Sequence, residues 1–286
     1  MATLLDRIFQ QEDINFVLTN KVPRRALTRF VGWFSRIEHP IVRDLSIATW
    51  RLFADDLRLE EARQSSFASL HDCFIRELKP GARSIDRDPR TIVSPCDAII
   101  GACGTIEDGQ LLQAKNHIYA LDDLVGDVRV GEQYRGGQYV TLRLTSAMYH
   151  RFHAPSDCVI HDATYISGDT WNVNPIALKR IAQLYCKNER AIIHARLDSG
   201  HEIVLVAVAA ILVASIHLHF VDVPLTMNYR GPSRLLCNAR FQKGEELGYF
   251  HHGSTIIVIA PHGFERNARV HDGERIEMGM PLFRVC

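Results

Sequence analysis

The sequence predicts an α+β protein in which N-terminal helices precede a β-rich catalytic domain with a hammerhead-like C-terminal strand segment. Apolar residues recur at helical spacing within residues 1–65, most clearly over 27–37. From about Thr91 onward, short β-branched runs alternate with glycine and aspartate turns, which is typical of strands. Near the end of the chain, Gly273 and Gly279 predict turns between short strands.

The N-terminal region contains two predicted helices. In the first, Pro23 suits the first turn and Pro40 ends the pattern. A second helical pattern covers 41–53, and an acidic helical stretch follows near 55–61. The apolar stripe of the first helix consists of Leu27, Phe30, Val31, Phe34 and Ile37.

The first helix is also basic. Such a helix is typical of a membrane interface with anionic lipid, or of a helix that packs on the domain with its basic face in water. The segment alone favours the second interpretation. Between positions 21 and 36 the chain has no acidic residue, and its basic residues are Lys21, Arg24, Arg25, Arg29 and Arg36.

Strands are predicted in the remainder of the chain. The longest apolar stretch, 203–216, is rich in valine and isoleucine and predicts one buried strand or two strand segments. It is too short for a bilayer, which requires roughly 20 residues, so we expect no transmembrane helix. Residues 1–13 contain three acids and do not resemble a secretory signal. The other predicted strands cover 91–93, 139–144, 191–195 and 256–260.

Composition restricts the possible functions. The 286 residues suit one large domain, or one domain with a helical extension. The 33 basic and 33 acidic residues give no net charge, so nothing favours a nucleic-acid partner. The seven cysteines are not spaced as C-x-x-C, so neither a disulfide framework nor a thiolate zinc site is expected. Scattered reduced thiols fit the cytosol.

Three short motifs contain residues that could act in catalysis: "SPCDAII" (94–100), "YHRFHAP" (149–155) and "GYFHHGSTIIVIA" (248–260). Individually, each has an ordinary structural interpretation, as a turn beside a strand or as a hydrogen-bonded histidine. In chain order, however, Asp97, His153 and Ser254 supply an acid, a base and a nucleophile.

With these motifs the chain resembles the phosphatidylserine decarboxylase family. The similarity extends over 74–285, and the motifs follow one another in the family's order. The motifs that resemble the family, besides "YHRFHAP" and Pro-x-Asp at 95–97, are "FIRELKPGARSIDRDP", "LLQAKNHIYAL", "SGDTWNVN", "NERA" and "GSTIIVIAP".

The resemblance implies a self-processing, pyruvoyl-dependent decarboxylase. The chain would cut itself between Gly253 and Ser254, giving a β chain (1–253) and an α chain (254–286), and Ser254 would become the covalent pyruvoyl cofactor. Asp97 and His153 match the acid and the base of the family's triad, and His150 is placed for proton transfer to the substrate. The pyruvoyl carbonyl would form a Schiff base with phosphatidylserine, which would yield phosphatidylethanolamine and CO2. No metal is implied.

The family also implies partners and a location. The two cleaved chains would remain together, and two such pairs would form a homodimer. The enzyme would act as a peripheral protein at the cytoplasmic face of the cell membrane, on phosphatidylserine in an anionic bilayer. With a lipid substrate, the membrane interpretation of the basic helix becomes the better one. Residues 1–65 would then be a helical, membrane-associating segment, and residues 66–286 the catalytic domain.

The chain departs from the family pattern at His252, where leucine is usual, at Ala98, where glycine is typical, and at Met148, where aspartate is frequent. Two other functions remain open. A metal-dependent hydrolase could use His217 and His219 as ligands on one strand face, although no H-E-x-x-H motif is present. A non-catalytic β-rich membrane-binding or carrier-like module is the second alternative.

Overall fold

The structure is a computed structural model that describes residues 12–20, 22–54, 57–114, 117–128, 130–211, 215–226, 228–251 and 254–286. The α-helices in these residues are α1 (Glu12–Asn20), α2 (Arg24–Phe34), α3 (Pro40–Phe53), α4 (Leu70–Phe74), α5 (Leu121–Val125), α6 (Val130–Gln133), α7 (Pro175–Arg180) and α8 (Leu184–Lys187). The first eight strands are β1 (Thr91–Val93), β2 (Ala98–Thr105), β3 (Gln110–Ala114), β4 (His117–Ala120), β5 (Gln138–Leu144), β6 (Arg151–His153), β7 (Cys158–Ile166) and β8 (Arg190–Leu197). The strands that follow are β9 (Glu202–Ala209), β10 (Ser215–Leu218), β11 (Leu225–Thr226), β12 (Arg234–Phe241), β13 (Glu246–Phe250), β14 (Ser254–Ala260), β15 (Phe264–Arg266), β16 (Arg275–Ile276) and β17 (Pro281–Val285).

The strands form antiparallel sheets, of which the largest within the described residues has the order β12-β7-β8-β9-β14-β5-β2-β16. A four-stranded sheet has the order β11-β10-β13-β6. It is linked to the largest sheet by the chain itself, since β13 is followed in the sequence by β14. Strands β1, β17 and β15 form a third sheet, and β3 pairs with β4. The core is built around the largest sheet, whose central strands β9 and β14 are almost entirely buried.

The α+β prediction is confirmed: N-terminal helices come first, and a β-rich region follows. Strand β17 supplies the expected C-terminal segment by pairing with β1 and β15. Gly273 and Gly279 have φ values of +87° and +90°, a left-handed conformation that glycine adopts without strain. The predicted turns between the last strands are therefore present.

The two N-terminal helices are confirmed, with small shifts at their ends. Pro23 is the residue before α2 rather than within its first turn, and Ile37 lies beyond the end of α2. Pro40 begins α3, where its missing N–H costs nothing. The predicted acidic helix near 55–61 was wrong over its described part, since only a single 3₁₀ turn forms at Leu59–Glu61.

The long apolar stretch forms two strand segments, as the second interpretation predicted. Strand β9 ends at Ala209 and β10 begins at Ser215, where the chain passes from the eight-stranded to the four-stranded sheet. None of the described helices is long and apolar enough to cross a bilayer.

The motif "SGDTWNVN" attaches the N-terminal helices to the sheet. Arg24, at the start of α2, forms an ion pair of 2.6 Å with Asp169, and its guanidinium lies 3.6 Å from the ring centroid of Trp171. The buried side chain of Asn188, in "NERA", donates to the backbone carbonyls of Trp171 and Ala209. Arg24 therefore attaches α2 to the catalytic region, and it is also one of the basic residues of α2.

Candidate active site

Strands β6, β13 and β14 bring the histidine motif close to the position of Ser254. Strand β13 pairs with β6 so that Glu246 faces His153 and Tyr249 faces Arg151. The chain then leaves β13 and enters β14 at Ser254, between β5 and β9 of the largest sheet. Gly253, His252 and the side chain of Ser254 lie outside the described residues. The predicted cleavage position therefore lies where the chain passes from one sheet to the other.

His153 has a defined tautomer. Its Nδ1 lies 2.9 Å from the carbonyl oxygen of Gly244, and its Nε2 lies 3.0 Å from the hydroxyl of Tyr149. A carbonyl oxygen only accepts hydrogen bonds, so Nδ1 carries the proton and Nε2 accepts from Tyr149. Burial lowers the pKa of His153 below its ordinary value. The ring is thus a neutral base near neutral pH, with its lone pair on Nε2.

The Gly244 carbonyl is held in place by a tight turn. Gly244 has φ +85°, and a Cβ built there would lie 2.3 Å from Cδ1 of Ile85. Glycine is therefore required at this position both by its conformation and by the close approach of a neighbour. The turn fixes the oxygen that determines the tautomer of His153.

Asp97 is buried, and its hydrogen-bond partners are Arg83 and the backbone of Met278 rather than the predicted base, His153. Arg83 donates to both carboxylate oxygens, from Nε at 2.9 Å to Oδ1 and from a terminal nitrogen at 2.5 Å to Oδ2. The backbone N–H of Met278 donates to Oδ1 at 2.9 Å. Among the described residues, neither ring nitrogen of His153 bonds to Asp97. Gly244, rather than Asp97, therefore sets the tautomer of His153 in this structure.

Asp97 is still close enough to influence the site. The backbone N–H of His153 donates to the carbonyl of Pro95, two residues before Asp97. The charge of Asp97 favours the protonated form of His153, although burial is the larger effect and lowers the pKa. Asp97 and Tyr149 also border one small cavity of about 20 Å³. Asp97 can thus act on His153 through its electric field.

His150 faces a different environment from His153. Its ring is fully buried and packs on Phe74, with ring centroids 4.0 Å apart. The two histidines lie three positions apart along an extended segment, so their side chains leave the strand on opposite sides. Phe74 also lines the large cavity described next, so His150 contacts a residue of the cavity wall.

A cavity of about 730 Å³ lies between helices α2 and α3 and the end of the largest sheet. Leu144, the register partner of Ser254 on β5, lines it, and so does Ala210, which follows the register partner on β9. The volume falls in the range of roughly 300–1,000 Å³ that is usual for small-molecule sites. The start of β14 therefore adjoins a pocket that can hold a largely apolar ligand.

The alternative histidine pair has other partners. The rings of His217 and His219 lie 5.2 Å apart, but His217 stacks on Tyr249 and His219 contacts Glu246 at 2.6 Å. Across the described residues, no group of three or more His, Cys, Asp or Glu side chains has an arrangement suited to a metal ion. The structure thus gives the metal-hydrolase interpretation no support.

Comparison with known proteins identifies the class. The family model described as phosphatidylserine decarboxylase matches residues 70–284. A phosphatidylserine decarboxylase proenzyme of Aliivibrio salmonicida is 30% identical, covering 96% of this chain and 99% of its own length. Proenzymes of the same name from Saccharophagus degradans and Haemophilus influenzae are 32% and 33% identical over 88% and 83% of this chain, and over 90% and 84% of their own lengths.

The chain therefore belongs to the phosphatidylserine decarboxylase family, a family of carboxy-lyases. This confirms the resemblance stated from the motifs and the prediction of an enzyme. The roles of Asp97, His150, His153 and Ser254 remain predictions.

Burial of a histidine near the site makes stability depend on pH. Burial, aided by Arg36, lowers the pKa of His71 to about 4. The folded state then favours neutral His71, whereas the unfolded chain takes up a proton below its pKa of about 6.5. We expect the free energy of unfolding to fall as pH drops from about 6.5 toward 4, by up to about 1.4 kcal/mol per pH unit from this group.

Urea unfolding of the parent and of His71→Gln at several pH values tests this dependence. The variant should lose less stability over this range, and His262→Gln, a change at an exposed histidine, should behave as the parent does. Equal pH dependence of parent and His71→Gln would contradict the assignment.

Proposed function

We propose that the chain cuts itself between Gly253 and Ser254, converts Ser254 into a pyruvoyl group, and decarboxylates phosphatidylserine to phosphatidylethanolamine and CO2. The observation that carries the proposal is the position of Ser254, at the first residue of a central strand and beside the large cavity. Family membership and the word "proenzyme" in the names of the relatives support it.

The cutting step uses atoms of the chain itself. The hydroxyl oxygen of Ser254 bonds to the carbonyl carbon of Gly253 and the peptide C–N bond breaks, leaving an ester and an amine. Loss of the Cα proton of Ser254 then breaks its Cβ–O bond and releases the carboxylate of Gly253. Water adds to the resulting dehydroalanine and ammonia leaves, which gives the ketone.

His153 is the base that this sequence of steps requires. A serine hydroxyl is a weak nucleophile until a base takes its proton. His153 is neutral, and its Nε2 lone pair is directed to the hydroxyl of Tyr149. Once His153 takes the proton, the charge of Asp97 favours the imidazolium that forms, and Arg83 holds the Asp97 carboxylate in place with hydrogen bonds.

The pocket fits the proposed decarboxylation. When present, the pyruvoyl group supplies an electron-accepting carbonyl for loss of the substrate carboxylate. Apolar surroundings would favour loss of that charged group. Helices α2 and α3 provide the apolar wall, with Val31, Phe34 and Trp50 among its residues. His150, which packs on Phe74 of the cavity wall, would return a proton to the substrate.

A surface beside the pocket suits contact with a bilayer. Apolar side chains that are usually buried are exposed on α2 and α3: Phe30 at 57%, Trp33 at 64% and Leu52 at 81%. Leu45, also exposed, lines the cavity and so connects this surface with it. With the basic residues of α2, this surface would hold the enzyme at an anionic membrane and let a lipid enter the cavity.

Substitution of the nucleophile and the base tests the cutting step. Ser254→Ala should leave a single uncut chain that releases no CO2 from phosphatidylserine vesicles. His153→Ala should slow cutting by a factor of about 100 or more, because the base is lost. His201→Ala, at a surface histidine, serves as the matched control. Cutting of His153→Ala at the parent rate, seen on a denaturing gel, would exclude the proposed base.

The membrane surface is tested by Phe30→Asp combined with Trp33→Asp. Each change places a charge where an apolar ring would enter the bilayer, so binding to anionic vesicles should weaken at least tenfold. Leu236→Asp is the control, because Leu236 is 80% exposed and lies on β12, the edge strand of the largest sheet, rather than on α2 or α3. Unchanged flotation of the double variant with vesicles would contradict the assignment of this surface.

A further inference from the structure

The large cavity has two chemically different walls. Its helical wall is apolar, whereas its sheet wall carries Arg143, Thr145, Ser146 and Asn172. Arg143 is the one charged side chain among the described residues that line the cavity. A cation in an otherwise neutral pocket indicates the kind of ligand that the pocket binds.

Arg143 has no compensating charge among the described residues. Within the described part of the chain, no ion pair or hydrogen bond involves its guanidinium, unlike the docked Arg24 or the buried Arg83. Burial lowers the pKa of Arg143, and only Tyr185 opposes this. An arginine stays charged even so, and a partly buried charge without a partner is unfavourable. An anionic ligand would supply the missing partner.

Register places this cation next to the reacting residue. On β5, Arg143 pairs with Thr255 of β14, and Leu144 pairs with Ser254. In a phosphatidylserine headgroup, only a methylene and the α-carbon separate the phosphodiester from the amine and carboxylate. Arg143 and Leu144 leave β5 on opposite faces of the sheet, but both line the cavity at the end of the sheet. A headgroup that enters this end of the cavity could therefore contact Arg143 with its phosphodiester and the start of β14 with its serine end.

We propose that Arg143 binds the phosphodiester of the lipid headgroup and so places the serine end of the substrate beside Ser254. This rests on the proposed decarboxylase function. A guanidinium matches a phosphodiester with paired hydrogen bonds. The substrate carboxylate is the poorer ligand for Arg143, because a strong ion pair with it would stabilise the ground state and oppose loss of CO2. The phosphodiester is unchanged by the reaction, so contact with it aids binding without slowing the chemistry.

The kinetic test compares Arg143→Gln, Arg143→Lys and the control Arg196→Gln, which alters an exposed arginine on β8. Cut protein is assayed for CO2 release in mixed micelles of phosphatidylserine and a non-ionic detergent, which removes the effect of membrane docking. Arg143→Gln should raise KM roughly tenfold to hundredfold, the loss expected for a charge-assisted contact, with kcat within about threefold of the parent. Arg143→Lys should recover part of the loss. An unchanged KM, or a fall in kcat alone, would overturn the proposal.

Phosphatidylethanolamine separates the two anionic groups of the substrate, since it keeps the phosphodiester and lacks the carboxylate. Its inhibition constant should rise in Arg143→Gln by the same factor as KM. A raised KM with unchanged inhibition would mean that Arg143 binds the carboxylate, which would overturn the proposal.

A binding measurement makes the proposal independent of activity. Calorimetry with a short-chain phosphatidylethanolamine should show at least tenfold weaker binding to Arg143→Gln than to the parent or Arg196→Gln. Removal of an unpaired charge should not lower the melting temperature. Equal binding to all three proteins would overturn the proposal, and so would destabilisation of Arg143→Gln together with loss of cutting. An uncut parent that releases no CO2 but binds this lipid through Arg143 would instead count against the proposed function.

Discussion

Strand β14 is the constraint on which the rest of the structure depends. It runs through the middle of the largest sheet, paired with β9 on one side and β5 on the other over most of Ser254–Ala260. Residues 256–260 are completely buried. Its first residue is therefore held by two neighbouring strands. A cut before Ser254 would leave β14 in the sheet, and β16 and β17 would keep their pairing with β2 and β1. The two cleaved chains of the proposed enzyme can therefore stay together without a covalent link.

The titratable groups around this strand differ in their partners and in the polarity of their surroundings. Asp97 forms an ion pair with Arg83, whereas His153 is buried, neutral and held by an uncharged carbonyl. Low polarity around His153 keeps it a base, and the nearby carboxylate favours the cation that it becomes on taking a proton. Arg143 represents the opposite case, a charge that lines the large cavity and has no ion-pair partner among the residues that the structure describes. This distribution of charges suits the proposed reactions, in which His153 takes up a proton during cutting and the substrate loses a carboxylate as CO2.

Much of the fold could be predicted from the sequence, because local patterns determine it. The apolar spacing of α2, the β-branched run of β14 and the turn glycines near the C-terminus all express short-range preferences. The predicted acid, base and nucleophile came from the order of the motifs and from the family resemblance that they carry. Their contacts did not follow, since Gly244 lies about ninety residues from His153, and Arg83 reaches Asp97 across a loop. Tyr149 was within a quoted motif, but only the strand geometry shows that its hydroxyl meets Nε2. The sequence did contain one signal for Arg143, since it is a charged residue within the apolar run "YVTLRL". The cavity that Arg143 lines is formed by residues distant in the sequence, so it could not be predicted from that run.

Intact mass of the purified protein under denaturing conditions tests the central claim most directly. We predict two chains, residues 1–253 with a free carboxyl terminus and residues 254–286 with a ketone in place of the N-terminal amine. That ketone should react with hydroxylamine, and the longer chain should not. A single chain of full length that stays uncut after long incubation at neutral pH would contradict the claim. So would a cut at Gly253–Ser254 that leaves an unmodified serine at the new N-terminus, since the chain would then be divided without gaining a carbonyl group.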